Sequence, residues 1–143
     1  MQEKGKRAEA LFCDGYNCAQ AVFLTFCEDY GIDKATGARL ANCMGGGFSR
    51  TGGLCGAVSA GGMALSAKFG REEPGETARQ DKTYRSVKEF HHAFKEEFGD
   101  VTCPALMKAG MERSGDERNP KFLCPAYVRR AAELVELYLA GEE

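Results

Sequence analysis

Apolar positions along the chain recur at three- and four-residue intervals, the signature of amphipathic helices. Alternating runs rich in valine, isoleucine and aromatics, which would mark strands, do not occur. Residues 2 to 13 place Ala8, Leu11 and Phe12 on one side and run toward Gly15, a helix stop. Asn17 is placed to cap a second helix, whose Val22, Phe23, Phe26 and Tyr30 share a face before Gly31 ends it. Asp33 is placed to cap a third, short helix through Leu40 and Asn42. The run from Gly45 to Gly53 holds too much glycine for a regular element and reads as a loop held close to something.

A fourth helix is predicted from about Leu54 to Phe69, with Gly70 as its stop. Its Gly53, Ala57, Ala60, Gly61 and Ala64 form a stripe of small residues that lets another backbone approach, within the chain or across a homodimer. Residues 71 to 76 read as a connector. Beyond them Tyr84, Val87, Phe90, His91, Phe94 and Phe98 trace an apolar face along a long helix ending at Gly99. A short helix after Thr102 carries Leu106 and Met107, and residues 110 to 119 read as a polar loop. The last helix starts at Pro125, a residue suited to a first helical turn, and buries Tyr127, Val128, Ala131, Leu134, Val135 and Tyr138. The expected fold is all-α: one domain over 1–143, a bundle of about six to seven helices with a glycine-rich loop before the helix that opens Cys55-Gly56-Ala57.

Composition narrows the function. Apolar residues make up 43% and charged residues 28%, which suits a globular chain, and no apolar run is long enough to cross a bilayer. The net charge of −2 argues against a nucleic-acid binder. The amphipathic N-terminus lacks the uncharged core of a secretory signal, so a cytoplasmic protein without membrane insertion is expected. The glycine run follows no strand and lacks a Gly-Lys-Ser/Thr ending, so phosphate binding is not expected. His91 and His92 read as packed or surface residues, although His91 could approach a cysteine site. Arg129 and Arg130 read as part of a solvated helix face.

The seven cysteines change the picture most. No two stand in a C-x-x-C pair, which removes the thioredoxin-type dithiol, the paired zinc knuckle and covalent haem attachment. Any multi-cysteine site must therefore be assembled from distant segments. Cys18, Cys55, Cys103 and Cys124 all fall at predicted helix starts, where unpaired backbone N–H groups and the helix dipole favour a thiolate and lower its pKa. Cys13 and Cys27 read as core filling, and Cys43 borders the glycine loop, nearest of the three to a site.

The segments GYNCAQAVF (15 to 23), ARLANCMGGGFSRTGGLCGAVSAGG (38 to 62) and CPAYVRRAA (124 to 132), with Cys103 after the Phe98-Gly99 stop, resemble the C_GCAxxG_C_C family over nearly the whole chain. That family's name records a presumption of redox activity. Its four cysteines would correspond to Cys18, Cys55, Cys103 and Cys124, and the closing glycine of its C-G-A-x-x-G motif falls here on Ala60. It is similar to the cysteine-bearing domain of split-Soret cytochromes c. That similarity implies a helical fold, dimerisation and iron–sulfur binding, while the haem part has no counterpart.

Three functions remain open. In the first, the four cysteines ligate an iron–sulfur cluster, or zinc, for electron transfer or metal binding, with backbone amides of Gly45, Gly46, Gly47 and Gly56 against the cofactor. In the second, two of the same cysteines cycle between dithiol and disulfide with no cofactor and a redox partner of unknown identity. The third is a non-redox helical subunit that binds a partner.

Overall fold

Most cap and stop residues read from the sequence mark element ends in the structure, a computed structural model that describes residues 2–141. Seven α-helices follow in order: α1 (Gln2–Cys13), α2 (Cys18–Phe26), α3 (Lys34–Asn42), α4 (Gly56–Phe69), α5 (Thr77–Phe98), α6 (Cys103–Ser114) and α7 (Cys124–Ala140). Asn17 closes a capping box with Gln20, and Asp33 accepts from the Thr36 amide at 3.1 Å. After Phe26 the chain tightens into a 3₁₀ turn, Cys27–Tyr30, which Gly31 ends at φ 82°. Among the described residues there is no strand, only an isolated antiparallel bridge between Leu54 and Thr102.

Helix α4 occupies the centre, packed against α2, α5 and α7, while α1 lies along α7. Its Ala57, Ala60, Ala64 and Leu65 are fully buried. The small-residue stripe is filled from within the chain. A Cβ on Gly61 would collide with the Phe90 ring and stand 3.1 Å from Val135 Cγ2. Phe94, Phe98 and Tyr127 stack beside it, with ring centroids 4.7 to 6.1 Å apart, and join α5 to the start of α7. Arg129 pairs with Glu9 at 3.3 Å and Arg130 with Glu97 at 2.8 Å, so these arginines fasten α7 to α1 and α5 rather than simply facing solvent.

Three expectations fail locally. Tyr84 is 65% exposed and belongs to the outer face of α5. Cys13 is exposed at the end of α1, whereas Cys27 is buried as expected. The segment read as a loop from residue 110 continues α6 to Ser114 and stops at Gly115, φ 70°. Gly110 serves there not as a stop but as a close-approach site inside the helix, the Pro120 carbonyl packing where its Cβ would be. No described helix is long and apolar enough to cross a membrane.

Candidate functional site: a four-cysteine cavity

Cys18, Cys103 and Cys124 are the first residues of α2, α6 and α7, and Cys55 is the residue that caps α4. The chain brings these starts together through short, specific contacts. On either side of the Leu54–Thr102 bridge, the Cys55 amide donates to the Val101 carbonyl at 2.7 Å and the Cys103 amide to the Gly53 carbonyl at 2.9 Å. Asp100 holds that strand-like pair in place, its Oδ1 accepting from the Val101 and Thr102 amides at 2.7 and 3.0 Å. Thr102, expected to cap α6, makes no side-chain cap bond and instead donates its hydroxyl to Asp100. On the opposite wall, Asn17 Nδ2 donates to the Asn42 carbonyl at 3.1 Å, tying the start of α2 to the end of α3.

The glycine loop is the joint between these walls. Gly46 and Gly47 have left-handed backbones, and the same hand continues through Phe48, Ser49 and Arg50, at φ between 58° and 66°. Three successive non-glycine residues there cost about 1 to 2 kcal/mol each. The turn lets backbone lie against side chains: a Cβ on Gly45 would collide with the Asn17 side chain, and one on Gly56 would stand 3.1 Å from the Met44 carbonyl oxygen. The amides of Gly45, Gly46 and Gly47 find no acceptor among the described residues.

All four cysteines line one cavity of about 1060 Å³, together with Gly45, Gly46, Gly56 and the exposed Cys43. Cys27, Cys13, His91 and Gly47 do not line it; the Gly47 backbone instead packs against Cys103 and Gly53. Within the cavity Cys18 and Cys124 act directly on each other. This interaction raises Cys18 far above the ordinary thiol range, with burial and the charges of the neighbouring cysteines adding to the rise. The same interaction lowers Cys124, aided by the Lys121 ammonium and opposed by burial. Burial pushes Cys55 up to about 11, with the Ala57 and Val58 amides pulling the other way. Burial also raises Cys103, followed by the charge of Cys124. The lowering expected at every helix start therefore occurs only at Cys124: desolvation outweighs the helix terminus at Cys55 and Cys103, and at Cys18 the interaction with Cys124, followed by burial, does so. Tyr127, whose hydroxyl donates to the Leu106 carbonyl at 2.9 Å, is pushed up to about 12 by burial and by the charges of Cys124 and Cys55.

Among the described residues all seven cysteines are free thiols, and no three of His, Cys, Asp or Glu are grouped so as to hold a single metal ion. Sequence reasoning missed Arg39, Arg50 and Lys121, which also line the cavity. Asp100 escaped it too, although an acid just after a helix-stopping glycine and before a predicted helix is a signal that could have found it. The profile of a family described as "Putative redox-active protein (C_GCAxxG_C_C)" matches residues 16–138. No curated protein and no solved structure matches.

Proposed function

Because the chain belongs to the C_GCAxxG_C_C family, we propose that it is a thiol redox protein whose working couple is Cys18 and Cys124. The observation that carries this reading is that the two thiols line one cavity and act directly on each other, Cys124 being shifted below the ordinary thiol range and Cys18 above it. Thiol–disulfide exchange needs that division: a thiolate attacks, and a second thiol close by resolves the mixed disulfide. Cys55 and Cys103 border the couple as thiols whose burial keeps them protonated near neutral pH.

A second reading is supported by the complete donor set. Cys18, Cys55, Cys103 and Cys124 are the complement that ligates an iron–sulfur cluster, and Gly45 and Gly46, whose amides find no acceptor among the described residues, line the same cavity. Such a cluster, when bound, supplies one-electron transfer. The donors surround a cavity rather than converge on a point, which favours a cluster over a single zinc ion within this reading. Anaerobic purification followed by an absorption spectrum, iron and zinc assays and a thiol count with and without reductant separates the two. Colourless, metal-free protein with one reducible pair supports the couple, whereas bound iron with visible absorption supports the cluster.

A further inference from the structure

We infer that the cavity selects an anionic substrate, a low-molecular-weight disulfide bearing carboxylates, through Arg39, Arg50 and Lys121; this rests on the dithiol reading above. The whole chain carries a net charge of −2, yet the residues lining the cavity include these three cations and not one carboxylate. The cations come from three separate places: Arg39 from α3, Arg50 from the left-handed turn and Lys121 from the segment before α7. None of them makes an ion pair among the described residues. Arg39 reaches only the Thr36 hydroxyl at 3.5 Å, and the Asp33 carboxylate near it is engaged by Thr36.

Of the eight arginines outside the cavity, Arg7, Arg118, Arg129 and Arg130 each meet a carboxylate, and Arg71 and Arg79 donate to backbone carbonyls. Unpaired cations around a concave, partly apolar space raise the local concentration of anions and their rate of entry. The volume suits a small molecule rather than a folded partner. Asn42 and Ser49, both exposed at the same cavity, are the uncharged polar groups beside the arginines.

The reaction balances within a single turnover. The Cys124 sulfur attacks one sulfur of the substrate, the substrate S–S bond breaks, and the first thiolate leaves and takes a proton from solvent. Cys18 then gives up its proton and attacks the Cys124 sulfur. The Cys18–Cys124 bond forms and the second thiolate leaves, protonated. Two electrons pass from the protein dithiol to the substrate, which departs as two thiols.

The test uses reduced full-length protein at low ionic strength with three probes: dithiodipropionate (a dianion), hydroxyethyl disulfide (neutral) and cystamine (a dication). The Cys18–Cys124 disulfide is followed by peptide mapping, and each rate is divided by that of the same probe with mercaptoethanol. The expected order is dianion, neutral, dication, with the dianion favoured over the neutral probe by about tenfold or more. That preference should shrink in salt and in the Arg39→Ala, Arg50→Ala double variant. Equal normalised rates, or a faster dication, overturn the anion preference and leave the couple intact. No Cys18–Cys124 disulfide with any probe overturns the couple itself, and the inference with it.

Discussion

Gly47 lies directly against Cys103: a Cβ on Gly47 would stand 2.6 Å from that of Cys103 and 3.0 Å from the Gly53 carbonyl oxygen. The backbone there is left-handed, at φ 69°, so an L side chain is disfavoured on two counts. Gly47→Ala is expected to cost about 2 kcal/mol or more, from the αL conformation and overpacking together. Urea unfolding of reduced protein measures it, and a loss under half that size would mean that Gly47 does not seat Cys103.

Arg50 is held at φ 66° and has no hydrogen bond or ion pair among the described residues. Its Cγ packs over Gly46, but a strained residue whose charged end has no bonded partner is what a functional side chain at a cavity mouth looks like. Arg50→Gly should relieve the strain and raise stability by about 1 kcal/mol. The same variant should lose part of the preference for a dianionic disulfide. Unfolding curves and normalised exchange rates read the two effects separately, and a destabilised variant would contradict the strain argument.

Asp100 anchors the segment that carries Cys103, and the Thr102 and Val101 amides hold its carboxyl below the usual carboxylate range. A carboxyl with a depressed folded-state pKa contributes stability that is present above its unfolded value, near 3.8, and lost as pH falls through the folded value. Asp33 and Glu76, lowered by bonds from Thr36 and from the Glu72 and Glu73 amides, act in the same sense. Stability should therefore decline on acidification below about pH 4, and Asp100→Asn should show a shallower decline. Chemical denaturation across an acid pH series makes the comparison. Parallel curves for the two proteins would remove Asp100 from this role.

The interaction of Cys18 with Cys124 has a direct kinetic consequence. Cys124 should be the first of the pair to react with iodoacetamide near neutral pH, since its thiolate is the stabilised one. Cys18→Ala removes that partner, so the Cys124 pKa should rise and its alkylation near pH 7 should slow. Mass-spectrometric rates at Cys124 over a pH range decide this, and an unchanged or lowered pKa in the variant would rule out Cys18 as the stabilising partner.

The helices and the positions of the four cysteines were legible because local chemistry marks them. Asn17 caps the start of α2, Pro104 and Pro125 stand in the first turns of α6 and α7, and glycines end most elements. That Cys18 and Cys124 line one cavity was not legible, since this joins segments from opposite ends of the chain and depends on how α2 and α7 pack around α4. The direction of each pKa shift depends on that same packing. Burial is a tertiary quantity, and it reversed the effect expected from helix position at Cys55 and Cys103, as the contact with Cys124, followed by burial, did at Cys18. Glycine flagged the loop, but nothing local announces that Phe48, Ser49 and Arg50 continue its left-handed path. Arg39, Arg50 and Lys121 are ordinary exposed residues in sequence and gain meaning only by lining one cavity.

The central claim is tested most directly by a redox titration of the full-length, metal-free protein against a thiol–disulfide buffer, with peptide mapping at each potential. The account predicts one two-electron transition that links Cys18 to Cys124, lost in Cys124→Ser and retained in Cys27→Ala. A transition joining any other pair, or no reducible pair at all, would contradict it.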